Sequence, residues 1–366
     1  MLMVFTHSKI GPHFTKYLQL VGVPVFFFAT GYVFKGDRYR RYSQFFKRRW
    51  RGIVVPYISF SLITWFVWLA GMVITNRIQG ESRVGVTFVL ALSPLLGIPL
   101  GIAKFMLYNL ALWFLTCLFV ADSYFYLLQR RVKSNLGLLF WMLVLSWIGY
   151  KLGQVKKLPL PWNADTAATA LLYYGLGFMA GRAWASGVLF TPAKYSIARF
   201  GKYILRLVLD PGLSFWVKLP VAVALGGGSY LLSQLNSQTH LLANDIGDFV
   251  PFHVASIVAV AFWAVVPQLF ANSRILHFFG RNSLSLLGLH VLGMGLVGIL
   301  LLQVFGIHLK DKLPSTPWGL LVGVAAIIFT VPMILLINRY LPWAAGRPPR
   351  PRAVKVPAVA AETIRS

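Results

Sequence analysis

The chain has 366 residues, of which 57% are hydrophobic and 12% charged, and its mean hydropathy is +0.69. A soluble domain carries roughly 25% charged residues, so this composition excludes a soluble globular protein. The 35 basic against 9 acidic residues give a net charge of +26, but they sit mostly in short loops between apolar runs. That is the pattern of membrane orientation and not of nucleic-acid binding.

The first six residues are apolar and end at His7; residues 8–13 then read as a loop. A span needs about 20 apolar residues, so this opening reads as the stub of a longer helix with a truncated or misassigned start. No cleavable signal peptide is visible. Residues 18–34 form the next apolar run. A short loop follows with eight basic residues, Lys35, Arg38, Arg40, Arg41, Lys47, Arg48, Arg49 and Arg51, and residues 53–75 are apolar again. Two spans joined by a basic hairpin fit this pattern, and clustered Lys and Arg mark the cytoplasmic side. Residues 84–102 are apolar but broken by Pro94, Gly97, Pro99 and Gly101, which suits a re-entrant or interfacial segment buried in protein.

Residues 108–128 read as a span containing Cys117, the one cysteine, which excludes an intramolecular disulfide or a CxxC metal framework. It ends in Arg130, Arg131 and Lys133, hence inside. Residues 136–150 go out, and residues 151–165 form an external loop despite Lys151, Lys156 and Lys157. Residues 167–180 return to Arg182. Residues 194–206 are basic and amphipathic and should lie on the cytoplasmic surface. Residues 213–232 go out to a loop, 233–252, that has Asp245 and Asp248 but no Lys or Arg. Residues 254–270 come back to Arg274 and Arg281, residues 284–305 go out to His308, and residues 318–337 return to Arg339. The expectation is an all-α, multi-pass protein of the inner (plasma) membrane with about ten spans and both termini cytoplasmic. Residues 1–345 would form the membrane domain and residues 346–366 a disordered Pro-, Ala- and Arg-rich tail. No Gly-rich phosphate loop stands between a strand and a helix, so a nucleotide-hydrolysing domain is not expected.

Several groups carry chemistry. His7 can take a proton near neutral pH, although an interfacial histidine bonded to backbone is the plainer reading; His13 is a weaker candidate. Lys47, Arg48, Arg49 and Arg51 form a tight cationic group suited to a phosphate-rich ligand, although positive-inside anchoring alone explains many such clusters. Asn109 and Trp113 are four apart and would share a helix face. Asp122 inside a span suggests a polar lining, a pair with an arginine, or snorkelling. Asn282, Ser283 and His290 sit on the ninth span, with Ser283 a possible N-cap. Trp162, Asn163 and Asp165 could hold a sugar or belong to the aromatic belt.

Six segments together carry a family resemblance: MLMVFTHS, VGVPVFFFATGYVF, FFKRRWRGIVVPY, LWFLTCLFVADSYFYLL, LPLPWNADTAATALLYYGLGFMAGR and FFGRNSLSLLGLHV. In this order they resemble the acyltransferase-3 family of integral membrane O-acyltransferases, most closely its fucose 4-O-acetylase-like members. Thr30 stands where the family usually has Ser before Gly-Tyr, Gly22 where some relatives have His, and the helix before the first histidine is shorter than usual. The resemblance implies transfer of an acetyl group from cytoplasmic acetyl-CoA to a hydroxyl of a cell-surface or exported saccharide. It makes His7 the catalytic base and Lys47, Arg48, Arg49 and Arg51 the donor group, with Arg49 and Arg51 as an Arg-x-Arg element. Acetyl-CoA is then a substrate, and no cofactor, metal or nucleic acid is implied. Asn109, Trp113, Asn282, Ser283 and His290 would line the pocket. The rival readings are a transporter or flippase of an anionic or lipid-linked glycan, which matched broken helices would favour, and a non-catalytic partner of a polysaccharide synthase.

The charge asymmetry generates the first prediction. In intact cells an impermeant thiol reagent should label a cysteine placed at Ser237 and spare one placed at Ser43. Equal labelling, or labelling at position 43 alone, would overturn the orientation.

Overall fold

A bilayer offers no water to satisfy backbone N–H and C=O groups, so an apolar chain folds there as helices that satisfy themselves. The computed structural model describes residues 2–79, 92, 95–102, 105–106, 108–155, 160–191, 196–237 and 239–347; among them every regular element is helical and no strand occurs. A short helix, α1 (Leu2–His7), precedes α2 (Pro12–Tyr32). Helix α3 (Tyr42–Arg49) runs through a π turn, Trp50–Val54, into α4 (Val55–Gln79). Then follow α5 (Trp113–Arg131), α6 (Asn135–Val155), α7 (Ala164–Ala185), α8 (Ser196–Leu209), α9 (Phe215–Leu235) and α10 (Phe249–Leu269). The chain closes with α11 (Arg274–Arg281), α12 (Ser283–Phe305), α13 (Leu309–Lys312) and α14 (Thr316–Tyr340).

Among the described residues, seven runs are long and apolar enough to cross a membrane: Tyr42–Val73, Leu110–Arg131, Asn135–Val155, Phe215–Leu235, Phe249–Leu269, Ser283–Phe305 and Thr316–Tyr340. The chain is therefore a multi-pass membrane protein, with fewer strongly apolar helices than the ten or so spans expected. Helix α1 has only six residues. Helices α2 and α7 are long enough, at 21 and 22 residues, but less apolar. The reason is their place in the bundle. They pack chiefly on each other, with α5, α6 and α10 around them, and α7 buries 14 of its 22 residues, Asp165, Thr166 and Thr169 among them. A helix that meets protein on most sides has no need of a lipid-compatible surface.

Small residues let these two central helices touch backbone to backbone. A Cβ on Gly31 of α2 would lie 1.8 Å from the Tyr174 carbonyl oxygen, and one on Gly177 of α7 would lie 2.0 Å from the Phe28 carbonyl oxygen. In lipid, where apolar burial gives no gain, such close packing is a main source of helix association.

The basic stretch departs most from expectation. Only residues 33–41 link α2 to α3, and the cations from Lys47 to Arg51 lie on helix. Helix α3 is drawn into the bundle beside the second half of α5. Arg49 Nε lies 3.1 Å from Asp122 Oδ2, and the Tyr174 hydroxyl donates to the other carboxylate oxygen. The Arg49 guanidinium stands over the Phe34 and Phe45 rings, and Phe45 stacks on Tyr126 with centroids 4.4 Å apart. Tyr126 and Arg130 donate to the Tyr39 carbonyl, which ties the connecting segment to the end of α5.

Other expectations shift by smaller amounts. Helix α2 begins at Pro12, a favoured first helical residue, so only residues 8–11 separate it from α1. Helix α6 continues through Val155. Lys156 and Lys157, most of the broken 84–102 segment, and residues 348–366 of the expected tail lie outside the described residues. Gly346 and Arg347, at the start of that tail, bond back to the Trp343 and Pro342 carbonyls.

Two predictions follow from this packing. Gly31→Leu or Gly177→Leu should abolish a monodisperse peak in detergent size-exclusion, because overpacking of even a methylene group costs about 1–3 kcal/mol and these contacts are with backbone. Gly227→Leu, where a Cβ meets nothing within 4 Å, should behave as wild type. Asp122→Asn should lower thermal stability by roughly 1–3 kcal/mol, because it leaves a half-buried guanidinium unpaired. An unshifted melting curve would show that the pair is not a structural tie.

Candidate functional site

Two cavities are lined by the sequence candidates, and the segment from Asn282 to His290 contacts a wall residue of each, Arg347 of one and His7 of the other. The first lies at the end that carries Arg130, Arg281 and Arg347. It has a volume of about 920 Å³ and is lined by Lys47, Arg48, Arg49, Arg51 and Arg347, together with Gln44, Gly52 and Trp343. Five cations thus face one space that no carboxylate lines. Like charges gathered in one recess repel unless a counter-charge is near, so the potential there favours an anion. All four donor-group candidates meet here. Arg49 differs from the other three, since its Nε is already engaged by Asp122. It contributes a fixed wall, whereas Lys47, Arg48 and Arg51 are exposed.

Arg347 is a residue that the sequence reading passed over. It donates to the Arg281 carbonyl and to Asn282 Oδ1, both at 2.7 Å, and Asn282 also accepts from Asn338 at 2.8 Å. Asn282 therefore belongs to the cationic end of the bundle. Ser283, its neighbour, is exposed as the first residue of α12, makes no cap bond, and lines neither cavity.

The second cavity is small, about 170 Å³, and is lined by His7, Trp113 and His240 with Gln19, Thr6 and Thr239 among others. His7 is the last residue of α1 and Trp113 the first of α5, so helix ends bring them together. Gln19 Oε1, on α2, is buried without a hydrogen-bond partner. His240 begins a tight turn, exchanging backbone bonds with Asp245. Neither Gln19 nor His240 was singled out by sequence. The only signal for His240 is a histidine in a loop without Lys or Arg.

His290 packs its ring on His7, with centroids 5.3 Å apart. Its Nδ1 lies 2.8 Å from the Leu287 carbonyl and 3.2 Å from that of Leu286. A carbonyl only accepts, so Nδ1 carries the proton and Nε2 holds a lone pair; that atom is buried with no partner. Asn109 is fully buried and donates to the Gly288 carbonyl at 2.8 Å, while its own Oδ1 lacks a partner. It precedes the Leu110–Leu112 turn with φ −160°, so Asn109 and Trp113 do not share a helix face. The chain is extended at Asn109, which turns its amide toward α12.

Four sequence candidates stand elsewhere. His13 is exposed and faces Gln234 at 3.4 Å. Trp162 turns inward, donating to the Pro99 carbonyl at 2.8 Å and packing on Trp50 and Phe119. Asn163 and Asp165 are buried beside it, so this trio holds the bundle together and offers no open face to a sugar. No group of three or more His, Cys, Asp or Glu capable of holding a metal occurs among the described residues.

No curated protein matches the chain, and no solved structure does. The family model described as Acyltransferase domain matches residues 1–337, nearly the whole of the membrane bundle and both cavities except Trp343, Gly346 and Arg347. A chain matched over that length belongs to the acyltransferase-3 family, and the protein is a membrane acyltransferase.

Proposed function

We propose that the protein transfers an acetyl group from acetyl-CoA, held at the cationic cavity, to a saccharide hydroxyl placed at the histidine cavity. The observation that carries this reading is the segment that opens α12: Asn282, its N-cap, accepts from Arg347, a wall of one cavity, and His290 packs on His7, a wall of the other. Eight residues separate them, about 12 Å along a helix, a span that a pantetheine arm can bridge. Coenzyme A is a polyanion with a long neutral arm and a terminal thioester. A five-cation recess followed by an uncharged interior fits that order of groups. The cationic end would face the cytoplasm, where acetyl-CoA is made, in line with the positive-inside pattern.

The chemistry requires one proton to move out and back. His7 accepts the proton of the saccharide hydroxyl as its oxygen attacks the thioester carbonyl carbon. The tetrahedral intermediate collapses, the C–S bond breaks, and the departing thiolate takes the proton from His7, leaving an ester and free coenzyme A. His290 acts as a positioning residue. Its Nδ1–H is committed to backbone carbonyls, and its Nε2 lone pair can receive an N–H of His7 and hold that ring's orientation. Gln19 Oε1 is a free acceptor for a second sugar hydroxyl. The histidine cavity is smaller than the roughly 300–1,000 Å³ of a whole small-molecule pocket, so it would admit one edge of a saccharide and leave the remainder outside.

The test is transfer of labelled acetyl from acetyl-CoA to glycans in membranes containing the full chain. His7→Ala should insert normally and lose about 10²–10⁴-fold in turnover, the usual worth of a general base. His7→Gln keeps a hydrogen-bonding group but cannot take a proton, and should be as impaired. Rescue by Gln would assign His7 a structural role and sink the mechanism.

A further inference from the structure

Helix α11 is eight residues long, yet it places Arg274, His277, Phe278 and Arg281 at spacings i, i+3, i+4 and i+7. Those positions share one helix face. All four line a cavity of about 700 Å³, with Asn282 and Arg347 as its remaining walls. Ile275, which flanks that face, is 66% exposed. Phe278 and Phe279 pack against the core, while Arg274, His277 and Arg281 are exposed, so the helix rests on its phenylalanines and presents its cations at the mouth of this open cavity. Ser273 caps it by accepting from the Leu276 N–H, and His277 Nε2 is 2.8 Å from the Ala271 carbonyl. No carboxylate lines this cavity either.

Arg347 belongs to both cationic cavities. Its bonds to the Arg281 carbonyl and to Asn282 Oδ1 fix the two spaces relative to each other. Two adjoining anion sites that share one arginine imply a ligand with two separate anionic groups close together. The ribose of coenzyme A has that character, with a diphosphate on one carbon and a phosphate monoester on a carbon nearby. A monoester is a compact dianion, and two arginines that can grip it bidentately beside a histidine suit it.

We propose that Arg274, His277 and Arg281 form a phosphate-monoester subsite that reads the 3′-phosphate of the donor, and so makes the enzyme select coenzyme A thioesters over their 3′-dephospho forms. This rests on the donor reading given above. The Lys47–Arg51 cavity takes the diphosphate, Arg347 lies between the two groups, and the α11 face closes on the monoester. A lipid headgroup phosphate is the other source of the same chemistry, and the experiment separates the two.

Full-length protein in nanodiscs of zwitterionic lipid is titrated with labelled acetyl-CoA, against coenzyme A and dephospho-coenzyme A as competitors. Wild type should prefer coenzyme A by roughly ten- to a hundredfold, the worth of ionic hydrogen bonds to one phosphate. Arg274→Gln with Arg281→Gln should collapse that ratio toward one, and Arg274→Lys should lower it part of the way. Equal binding of the two competitors by wild type overturns the subsite whether or not any variant folds, while tight binding of both leaves the donor reading standing. Binding of neither nucleotide sinks the donor reading and the subsite with it. In nanodiscs containing phosphatidic acid, loss of retained phosphatidic acid in the double variant with the coenzyme A preference intact would assign the face to lipid and overturn the proposal.

Discussion

One buried carboxylate organises the cationic end of this protein. Asp122 lies in the middle of α5 with no exposed surface, and an isolated charge there would cost several kcal/mol. Its compensation comes from Arg49 and from the Tyr174 hydroxyl. That pairing holds the end of α3 beside α5, with Phe34 and Phe45 under the guanidinium. Lys47, Arg48 and Arg51 stay exposed but then line one recess together with Arg49. A single acid among so many bases thus converts a topology signal into a cavity. The pair also joins three separate segments, α3, α5 and α7, so the cavity wall cannot shift without disturbing the centre of the bundle.

The arrangement of the two cavities follows from where helices end. His7, Trp113 and His240 all sit at a helix end or tight turn, where the chain can bring different elements to one point. The cationic side is made from α3, the π turn and the start of α4, from α11 and Asn282 after it, and from the segment after α14. Between them the packing is close, and the polar atoms left over, Asn109 Oδ1, Ser285 Oγ and His290 Nε2, are buried without partners. Each such group costs about 1–3 kcal/mol when nothing meets it. Ser285 and His290 lie on α12, and Asn109 donates to the Gly288 carbonyl of the same helix, so the three unmet atoms cluster along one stretch of it.

Much of the helix order was legible in sequence because a lipid-facing helix must be apolar along its length. The same logic hid the character of α2 and α7, whose hydropathy is modest because they face protein. Asn109 was misplaced onto α5, since an apolar run around it conceals the extended residue that precedes the helix. The cations of residues 47–51 were recognisable as a group, but burial of Arg49 depends on Asp122, some seventy residues away, and no local pattern announces such a pairing. Arg274 and Arg281 were visible only as topology markers. The spacing that puts them with His277 on one face was present in the sequence, but it spans a segment too short for periodicity to stand out. Arg347 sits in Pro-rich sequence that gives no hint of its bonds to Arg281 and Asn282.

The π turn at Trp50–Val54 has a consequence for how this chain tolerates length change. In that turn the Val55 N–H reaches the Trp50 carbonyl, five residues back, so the helix carries one residue more than a regular turn would hold. Removing any one residue between positions 50 and 54 would let an ordinary α-helix form, with better local geometry. It would also rotate α3 by about 100° against α4, swinging Arg49 away from Asp122 and the exposed cations out of the recess. The wide turn phases two otherwise independent helical ladders, one apolar along α4 and the other carrying the cations of the recess. Relatives that keep the cationic recess should therefore keep the count of residues across this turn more strictly than their identity.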